Sequence, residues 1–590
     1  MATSPWTARP SPTPSANCSA GAGPQRSRSG AVSLATANGN HSSTGLGAGP
    51  TASNGGRTPP AAPAHKRVRT YSYRAVERLP RTRGVRRGGR RRRRSALRVA
   101  LVLLVVAGIA AAVAFALRPH ALPRQSKSIV APVPGPVSLP ARARWTPNDV
   151  AGLQAHVREV IDGQAFPPST TGVTVADART GKQLYSRNAR VALVPGSTVK
   201  LIVAAAALDA LGSGYRFKTS IVTNGELRDG TLQGNIWLVG GGDPVLTSDD
   251  LRRAVHELQL AGVERIHGNV YADGSRFGND EINATWLPED LPYGWAAPAS
   301  AISIDGGSEQ FTLTPSAGTT AKVSIDPPGA RVLGSVATGS SYSDNTLRID
   351  ALPDGSGYRL SGQIPYGASQ KYWRSVPHPT RSAAIALFQM LRLAGLSVEG
   401  FPFVGTTPAG RVLWEHRSAP LDRIVNQMFV TSDNHIAEQL LRAVGWKATG
   451  VGSMHRSLAA LNTFLRRKGI PRAGVVLADG SGLSDHNRVT AQCLLGVLRF
   501  MARHKGRQAA TLLPRVGMEG TVSVRHLSPE ALGRVYAKDG YIAGASSLAG
   551  YVFTAHHGLV SFAFLVDDWQ HGLDGVWAGE DQILSRIARF

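Results

Sequence analysis

A run of nineteen uninterrupted apolar residues, at positions 99–117, divides this 590-residue chain into two very different parts. As a helix the run would be about 28 Å long, which is enough to cross the hydrocarbon layer of a membrane. It follows an arginine run at 90–94, and basic residues stay on the cytoplasmic side of a span. The sequence therefore predicts a single-pass protein of the cell membrane, with a cytoplasmic N-terminus and an extracellular body after Arg118. A cleaved signal peptide is the alternative, because Ala114-Phe115-Ala116 has the pattern of a processing site, and cleavage near Ala116 would give a secreted protein.

Residues 1–98 are predicted to form a disordered, basic cytoplasmic arm. They are rich in Ser, Thr, Pro, Ala, Gly and Arg, with too few large apolar side chains to offset chain entropy. Residues 1–118 carry +19 of the net charge of +27, since they hold 20 Lys and Arg and a single acid, Glu77. The remaining body is ordinary in charge, so the arginine run indicates a topology signal in contact with lipid headgroups, and nucleic acid is not expected as a partner.

The rest of the chain is predicted to be a Pro-rich linker at 118–147 and a folded body that begins near Asn148. The two cysteines, Cys18 and Cys493, fall on opposite sides of the predicted span, so no intramolecular disulfide is expected. Cys493 lies in an apolar helical pattern and is predicted to be a small core residue. No His and Cys residues cluster at zinc-ligand spacing, so no metal is expected.

Ser197 and Lys200 are the first candidates for catalysis. Two predicted strands, at 172–177 and 183–186, precede Ser197, which is predicted to open a strongly apolar helix at 199–211. A nucleophile at a helix N-terminus meets clustered backbone N–H groups and a positive dipole. Lys200 lies on the same helix face, and a partly desolvated lysine can take the proton of a serine. Taken alone this pair is a weak signal, because Ser197 could cap the helix while Lys200 stays in solvent.

Two further strings strengthen the catalytic interpretation by their order and context. Ser432-Asp433-Asn434 lies between apolar helical patterns at 421–430 and 436–444, where a turn can place polar side chains in a cleft. Lys538-Asp539-Gly540-Tyr541 lies in a strand-like run at 534–542. The chain then closes with predicted strands at 547–554 and 558–566 and an amphipathic helix at 580–587.

Together the strings resemble the S-x-x-K, S-D-N and K-T-G motifs of penicillin-recognising serine enzymes. More closely, the chain resembles the D-alanyl-D-alanine carboxypeptidase/endopeptidase family of low-molecular-mass, class C penicillin-binding proteins. The likeness covers about residues 148–590, and its further matches are Val194-Pro195-Gly196-Ser197, Gly241-Gly242-Asp243-Pro244, Tyr293-Gly294-Trp295-Ala296, Ser432-Asp433-Asn434 with Ala437-Glu438, Asp479-Gly480-Ser481-Gly482-Leu483-Ser484 and Gly517-Met518-Glu519-Gly520-Thr521.

The resemblance implies an α+β fold, with a penicillin-binding, transpeptidase-like domain at 148–218 and 405–590 whose antiparallel sheet is flanked by helices. Ser197 and Ser432 are 235 positions apart, whereas a compact domain of this type needs only a few dozen residues there. A large β-rich insertion of one or two small domains is therefore predicted at 219–404, where short alternating strands and glycine turns recur. Simple β-lactamases lack such an insertion, so a β-lactamase is not favoured.

The resemblance also implies an acyl-enzyme reaction. Ser197 would be acylated by the penultimate D-Ala carbonyl of a peptidoglycan stem peptide, or by a β-lactam antibiotic as covalent inhibitor, with Lys200 as the base. Water would then release the acyl group. Ser432 would relay a proton to the leaving amine, while Asn434 would bind the substrate and hold Lys200 in place. No cofactor is required.

The last string supplies the remaining implied roles. Lys538 would provide positive potential in the cleft, and Gly540 would let the substrate lie close to the strand. The backbone N–H groups of Ser197 and Tyr541 would form an oxyanion hole.

Asp539 is where the sequence departs from the family pattern, which carries threonines at this position and at that of Tyr541. A hydroxyl there can bind the terminal carboxylate of the substrate, whereas two carboxylates about 4 Å apart repel by roughly 4 kcal/mol at an intermediate dielectric. Asp539 could pair with Lys538, point to the other face of the strand, or be protonated. The chain is thus predicted to be an active D,D-peptidase, which Asp539 could shift away from free D-Ala-D-Ala ends. The alternative is a weakly active or inactive relative that serves as a peptidoglycan-binding or scaffold protein.

Overall fold

The computed structural model describes residues 143–542, 544–569 and 572–590. The predicted arm, the apolar run at 99–117, Cys18 and the linker up to residue 142 lie outside these residues. Within the described residues, none of the helices combines the length and the hydropathy that a bilayer crossing requires.

The described residues form ten α-helices and twenty-four strands. The helices are α1 (Pro147–Ile161), α2 (Val199–Leu211), α3 (Ser248–Leu260), α4 (Pro379–Leu393), α5 (Leu421–Thr431), α6 (Asn434–Thr449), α7 (Met454–Arg467), α8 (Ala491–Lys505), α9 (Gln508–Thr511) and α10 (Leu573–Arg589). The strands up to the tenth are β1 (Thr171–Asp177), β2 (Gln183–Arg187), β3 (Ala192–Leu193), β4 (Lys218–Thr223), β5 (Glu226–Arg228), β6 (Thr231–Gln233), β7 (Ile236–Val239), β8 (Arg265–Ile266), β9 (Val270–Asp273) and β10 (Ser308–Thr314). Those that follow are β11 (Lys322–Asp326), β12 (Arg331–Gly334), β13 (Ala337–Thr338), β14 (Arg348–Ala351), β15 (Gly357–Ser361), β16 (Gln363–Ile364), β17 (Gln370–Ser375), β18 (Ser397–Val398), β19 (Pro402–Val404), β20 (Arg411–Arg417), β21 (Val489–Thr490), β22 (Val535–Ile542), β23 (Ala545–Phe553) and β24 (Leu559–Asp567).

The central sheet joins the two ends of the described chain. Its five antiparallel strands run in the order β2-β1-β24-β23-β22, so β1 pairs with β24, nearly 400 positions later in the sequence. β1, β23 and β24 are buried along almost their whole length, which fits their continuous apolar runs. β22 is an edge strand, and one side of it is therefore available for pairing with another chain segment.

The two faces of the central sheet pack against different helical layers. One apolar core combines α1 and α10 with one face of the sheet and includes Leu548 and Phe562. The other combines α2 and α5–α8 with the opposite face and includes Ala549 and Ala563. Alternation along the strands accounts for this division, since neighbouring side chains point to opposite faces. The sheet therefore lies between two layers of helices, and α2 is deeply placed, because all its residues from 199 to 207 are buried.

The segment between α2 and α5 forms two further groups of strands with separate cores. The first contains the sheets β19-β9-β7-β4-β20 and β18-β8-β6-β5, whose core also includes residues of α3 and α4. The second contains β11-β10-β17, β12-β15-β14 and β13-β16 around Phe311 and Leu360. β20 pairs with β4, so the predicted boundary at residue 404 falls inside the first of these groups.

Candidate active site

Ser197 lies in a tight turn immediately before α2. Residues Gly196–Thr198 form a single 3-10 turn that leads directly into α2, so Ser197 lies just before the helix predicted at 199–211. The turn requires a positive φ of 49° at Gly196, a conformation that glycine adopts without strain. Ser547 of β23 anchors the turn, because its hydroxyl donates to the carbonyl of Pro195 at 2.6 Å and lies 3.1 Å from the hydroxyl of Thr198.

Lys200 is fully buried and its amino group faces Ser197. Lys200 Nζ lies 2.9 Å from Ser197 Oγ, and it donates to Asn434 Oδ1 at 2.7 Å and to the carbonyl of Ser481 at 2.6 Å. Burial, and then the positive charge of Lys538, lower the pKa of Lys200 to about 7. A lysine with such a pKa is partly neutral at physiological pH and can accept a proton. The alternative of a helix cap beside a solvated lysine is therefore wrong.

Ser432-Asp433-Asn434 forms the junction between α5 and α6, as predicted from the sequence. Ser432 ends α5 in the left-handed conformation, with φ of 56°, which is strained for a residue other than glycine. Asp433 caps α6, because its side chain accepts from the backbone N–H of Ile436 at 2.8 Å. The cap fixes the first turn of α6, and so directs Asn434 toward Lys200.

Asn434 is held at both ends of its amide. Its oxygen accepts from Lys200, and its nitrogen donates to the backbone carbonyl of Trp295 at 2.8 Å. Trp295 belongs to the long segment between β9 and β10, so that segment reaches the catalytic residues. In the sequence Trp295 was only part of a family match and had no predicted role.

Lys538 and Asp539 form an ion pair on the edge strand β22. Lys538 is fully buried, and its Nζ donates to Asp539 Oδ1 at 2.5 Å and to the backbone carbonyl of Asp539 at 2.7 Å. Thr521 donates to the same Oδ1 at 2.6 Å. Burial raises the pKa of Asp539, but the charge of Lys538 and the hydrogen bonds from Lys538 and Thr521 outweigh it, so the pKa lies below its usual range. Of the three alternatives for Asp539, the structure shows pairing with Lys538, and the lowered pKa favours the ionised carboxylate.

Strand register explains how Asp539 is placed. Asp539 pairs with Leu548, which belongs to the core on the α1 and α10 side, whereas Lys538 pairs with Ala549 of the opposite core. By register the Asp539 position thus belongs to the other face of the sheet, but its carboxylate is bound to the ammonium group of Lys538 and does not turn away from it. Tyr541, two residues later, is 55% exposed.

The backbone amides of Ser197 and Tyr541 lie beside each other where β22 passes the serine turn. A Cβ built on Gly540 would lie 2.8 Å from Ser197 N, and one on Gly196 would lie 2.9 Å from Tyr541 N. Only glycine at both positions permits this approach, because real Cβ contacts are longer. Two adjacent amides next to a serine hydroxyl can stabilise an oxyanion that develops on a substrate carbonyl.

A buried acidic pair, which sequence reasoning missed, shapes the loop that contacts Lys200. Glu438 Oε1 accepts from the backbone N–H groups of Gly480 and Ser481, at 2.9 and 2.8 Å. Asp479 accepts from the backbone N–H groups of Gly482 and Ser484, at 2.7 and 2.6 Å. These bonds aim the carbonyl of Ser481 at Lys200. Burial, and then the nearby charge of Asp479, raise the pKa of Glu438 to about 7. The strings containing Glu438 and Asp479 were recognised as family matches, and that was the available signal.

The inserted segment, which contacts Asn434 through Trp295, also contacts the loop at residues 478–484 through Trp286. Its indole N–H donates to Asp479 Oδ2 at 3.0 Å, and Asn283 donates to the carbonyl of Ala478 at 2.7 Å. The inserted segment therefore buttresses the catalytic loop as well as Asn434.

In the described part of the chain, no cluster of three or more His, Cys, Asp or Glu side chains is arranged to hold an ion. Cys493 is buried in the core, as predicted, and burial raises the pKa of its thiol to about 12.

A serine hydroxyl, a buried lysine of lowered pKa and paired backbone amides define a class of enzyme, the serine acyltransferases and hydrolases that use lysine as the base. A model of the D-Ala-D-Ala carboxypeptidase 3 (S13) family matches residues 153–587. The chain belongs to this family, and it is a serine-type enzyme of the D-Ala-D-Ala carboxypeptidase class.

Individual relatives agree with the family assignment. The D-alanyl-D-alanine carboxypeptidase of Actinomadura sp. (strain R39) is 32% identical over 472 residues, which cover 76% of this chain and 87% of that protein. The crystal structure of penicillin binding protein 4 (dacB) from Haemophilus influenzae aligns with a TM-score of 0.64 at 27% identity, over 74% of this chain and 99% of that one. The same protein complexed with a novel β-lactam aligns with a TM-score of 0.61 at 26% identity, over 74% and 100%.

Proposed function

We propose that the protein hydrolyses D-Ala-D-Ala bonds of peptidoglycan stem peptides through an acyl-enzyme on Ser197. The observation that carries this proposal is the 2.9 Å contact between Ser197 Oγ and the buried Nζ of Lys200. Neutral Lys200 takes the hydroxyl proton while Oγ bonds to the penultimate D-Ala carbonyl carbon. The carbonyl oxygen becomes an oxyanion between the amides of Ser197 and Tyr541.

The tetrahedral intermediate collapses when the C–N bond breaks. The leaving amine receives a proton that originates from Lys200, and Ser432 is proposed to relay it. An acyl ester on Ser197 remains, and water attacks it while Lys200 again accepts a proton. The ester bond then breaks, Ser197 regains its proton, and the shortened peptide leaves with a new carboxyl group.

Asn434 and Lys538 are proposed to position the reacting groups. Asn434 holds Lys200 through a 2.7 Å hydrogen bond. Lys538 lies close enough for its charge to lower the pKa of Lys200, and so it helps to keep the base neutral. Gly540 lets the serine turn approach β22, since a Cβ there would meet backbone atoms of that turn, and it is proposed to let the substrate lie close to the strand as well.

Cleavage of cross-links, as an endopeptidase, and acylation by penicillins are proposed as activities of the same site. A penicillin amide opened by Ser197 gives the same kind of acyl ester as a stem peptide. Support comes from the relative whose structure holds a β-lactam. The alternative of an inactive binding or scaffold protein is not favoured, because Lys200 retains the burial and contacts that a catalytic base needs.

The direct test is a labelled penicillin incubated with the purified extracellular part, followed by peptide mass spectrometry. A covalent adduct on Ser197 is expected. Ser197→Ala should abolish it, whereas Ser340→Ala, at an exposed serine of the inserted segment, should label like the wild type. Absence of any adduct at high drug concentration would overturn the enzymatic proposal.

We also propose that residues 99–117 anchor the protein in the cell membrane with the catalytic body outside. The support is the length of the apolar run and the arginine run that precedes it. The full chain should remain in washed membranes, and a chain that starts at residue 118 should not. Recovery of a mature protein that begins near Ala116 would contradict an anchor and favour a signal peptide.

A further inference from the structure

Asp539 places a carboxylate beside Lys538 on β22, the edge strand that passes the serine turn. It stands between Lys538 and Gly540 on the strand that passes the serine turn, and its side chain is 27% exposed. One oxygen, Oδ1, accepts from both Lys538 and Thr521. The other, Oδ2, receives no hydrogen bond from the residues that the structure describes. Asp539 is thus fixed in direction, and one oxygen is left to accept from a ligand.

The ion pair changes the charge of the cleft as well as its hydrogen bonding. An unpaired lysine at the position of Lys538 would attract an anionic leaving group. Here the ammonium group is 2.5 Å from a carboxylate, so the pair is close to neutral as a whole. Position 539 itself then offers a substrate carboxylate neither the attraction of a free cation nor a hydroxyl donor, and the uncommitted Oδ2 would repel it.

A carboxamide has the opposite properties. It is uncharged, so Asp539 does not repel it, and its N–H groups can donate to Oδ2. A hydrogen bond from a neutral donor to a carboxylate is stronger than one between neutral groups. Tyr541, exposed two residues along the same edge strand, adds an aromatic surface and a hydroxyl beside the position of Asp539. The same residues that disfavour a carboxylate therefore recognise its amide.

We propose that Asp539 is a specificity determinant, which makes the enzyme prefer D,D-peptide bonds whose leaving residue carries a neutral carboxamide over those whose leaving residue ends in a free carboxylate. The inference deepens the function proposed above and rests on it. It names the class of leaving group, and it assigns Thr521 as the residue that holds the determinant in place.

The test compares two substrates that differ only at the leaving residue. One is a diacylated L-Lys-D-Ala-D-Ala tripeptide with a free terminal carboxylate, and the other is its terminal carboxamide. A thioester of the same acyl group, with an uncharged thiol as leaving group, reports activity that does not depend on this contact. The ratio of kcat/KM for the amide to that for the acid is measured for the wild type and for Asp539→Thr.

The wild type is expected to favour the amide, and Asp539→Thr should lower the ratio at least about tenfold, chiefly through faster turnover of the acid. Asp539→Asn, which removes the charge and keeps the shape, should lower it as well. Thr521→Val should lower the ratio to a smaller degree, because Oδ1 then has only Lys538 to orient it. As a matched control, Asp249→Thr removes an exposed aspartate of α3 that also forms an ion pair, in this case with Arg252, and its ratio should equal that of the wild type.

Two results would overturn the inference and can be told apart. Equal ratios in the wild type and Asp539→Thr, with normal thioester turnover, would refute the role of Asp539 and leave the proposed function intact. Loss of turnover of all three substrates in the wild type, with no penicillin adduct on Ser197, would refute the proposed function and this inference together.

Discussion

The rate of acylation should follow the protonation of Lys200. Burial and the charge of Lys538 lower its pKa from 10.5 to about 7, which corresponds to about 5 kcal/mol of preference for the neutral form. At pH 7 about half of the molecules then have a neutral base, compared with roughly 0.03% for an unperturbed lysine, a gain of about 1,000-fold. At pH 5 the neutral fraction falls to about 1%.

Stopped-flow measurement of acylation by the thioester, from pH 5 to 9.5, provides the assay. The rate constant should rise about tenfold per pH unit below 6.5 and level off above 8. Glu438 also has a pKa raised to about 7, so the profile should be repeated with Glu438→Gln, which keeps an acceptor for Gly480 and Ser481. The midpoint should persist in that variant if Lys200 is the titrating base.

Lys538→Met tests whether the charge of Lys538 contributes to the low pKa of Lys200. The charge of Lys538 is the second cause of the low pKa of Lys200, so its removal should move the midpoint upward, whatever happens to the absolute rate. A rate that continues to climb through pH 9 in the wild type would refute a lowered pKa. An unchanged midpoint in Lys538→Met would refute the contribution of Lys538 and leave burial as the cause. Circular dichroism at each pH verifies that the fold is retained.

Three further predictions concern the scaffold. Gly540→Ala should reduce penicillin acylation at least about 100-fold, because the added Cβ would lie 2.4 Å from the carbonyl of Pro195 and displace the serine turn. Acylation within threefold of the wild type would contradict this. Arg442→Met should lower the free energy of unfolding by about 2 kcal/mol in urea titrations, because buried Arg442 donates to Asp280 at 2.7 Å. The loss is moderate because Asp280 is 43% exposed and can be rehydrated. An unchanged free energy of unfolding would show that the pair contributes nothing. Burial raises the pKa of Glu309 to about 7, so its stabilising contribution is complete below pH 4.5 and is lost as the pH rises through 7, by up to about 3 kcal/mol. The fall in melting temperature between pH 5 and pH 8.5 should therefore be smaller in Glu309→Gln, and an equal fall would exclude Glu309 as a source of the pH dependence.

The helices and strands that position the site were predicted well, because each of them has a recognisable apolar or alternating pattern in its own residues. α2 begins and ends where the apolar run predicts, at Val199 and Leu211, and Gly212 follows with φ of 87°. The strands predicted at 172–177, 183–186 and 534–542 are present within one residue at each end, and those predicted at 547–554 and 558–566 within two. The final helix is longer than predicted, since it begins at Leu573, where the amphipathic pattern is weaker.

Contacts between distant segments could not be read from the sequence. Glu438 reaches Gly480 and Ser481 across more than forty positions, and Thr521 reaches Asp539 across 18. No periodicity encodes such pairs, because they depend on how helices and loops pack in three dimensions. The turn at Gly196 could not be predicted from the sequence either, because glycine permits a positive φ but does not require it.

Because β22 and β23 come late in the sequence, the active site can be completed only late in the synthesis of the chain. Thr198, beside the nucleophile, contacts Ser547, which is 349 positions later, and at 5–20 residues per second this separation corresponds to roughly 20–70 s of translation. Until β22 and β23 have been made, Ser197 has neither Tyr541 as an amide neighbour nor Lys538 to lower the pKa of Lys200. An incomplete chain that ends before β22 therefore has an unactivated Ser197, and residues 535–590, about a tenth of the sequence, must be synthesised before the site can be reactive.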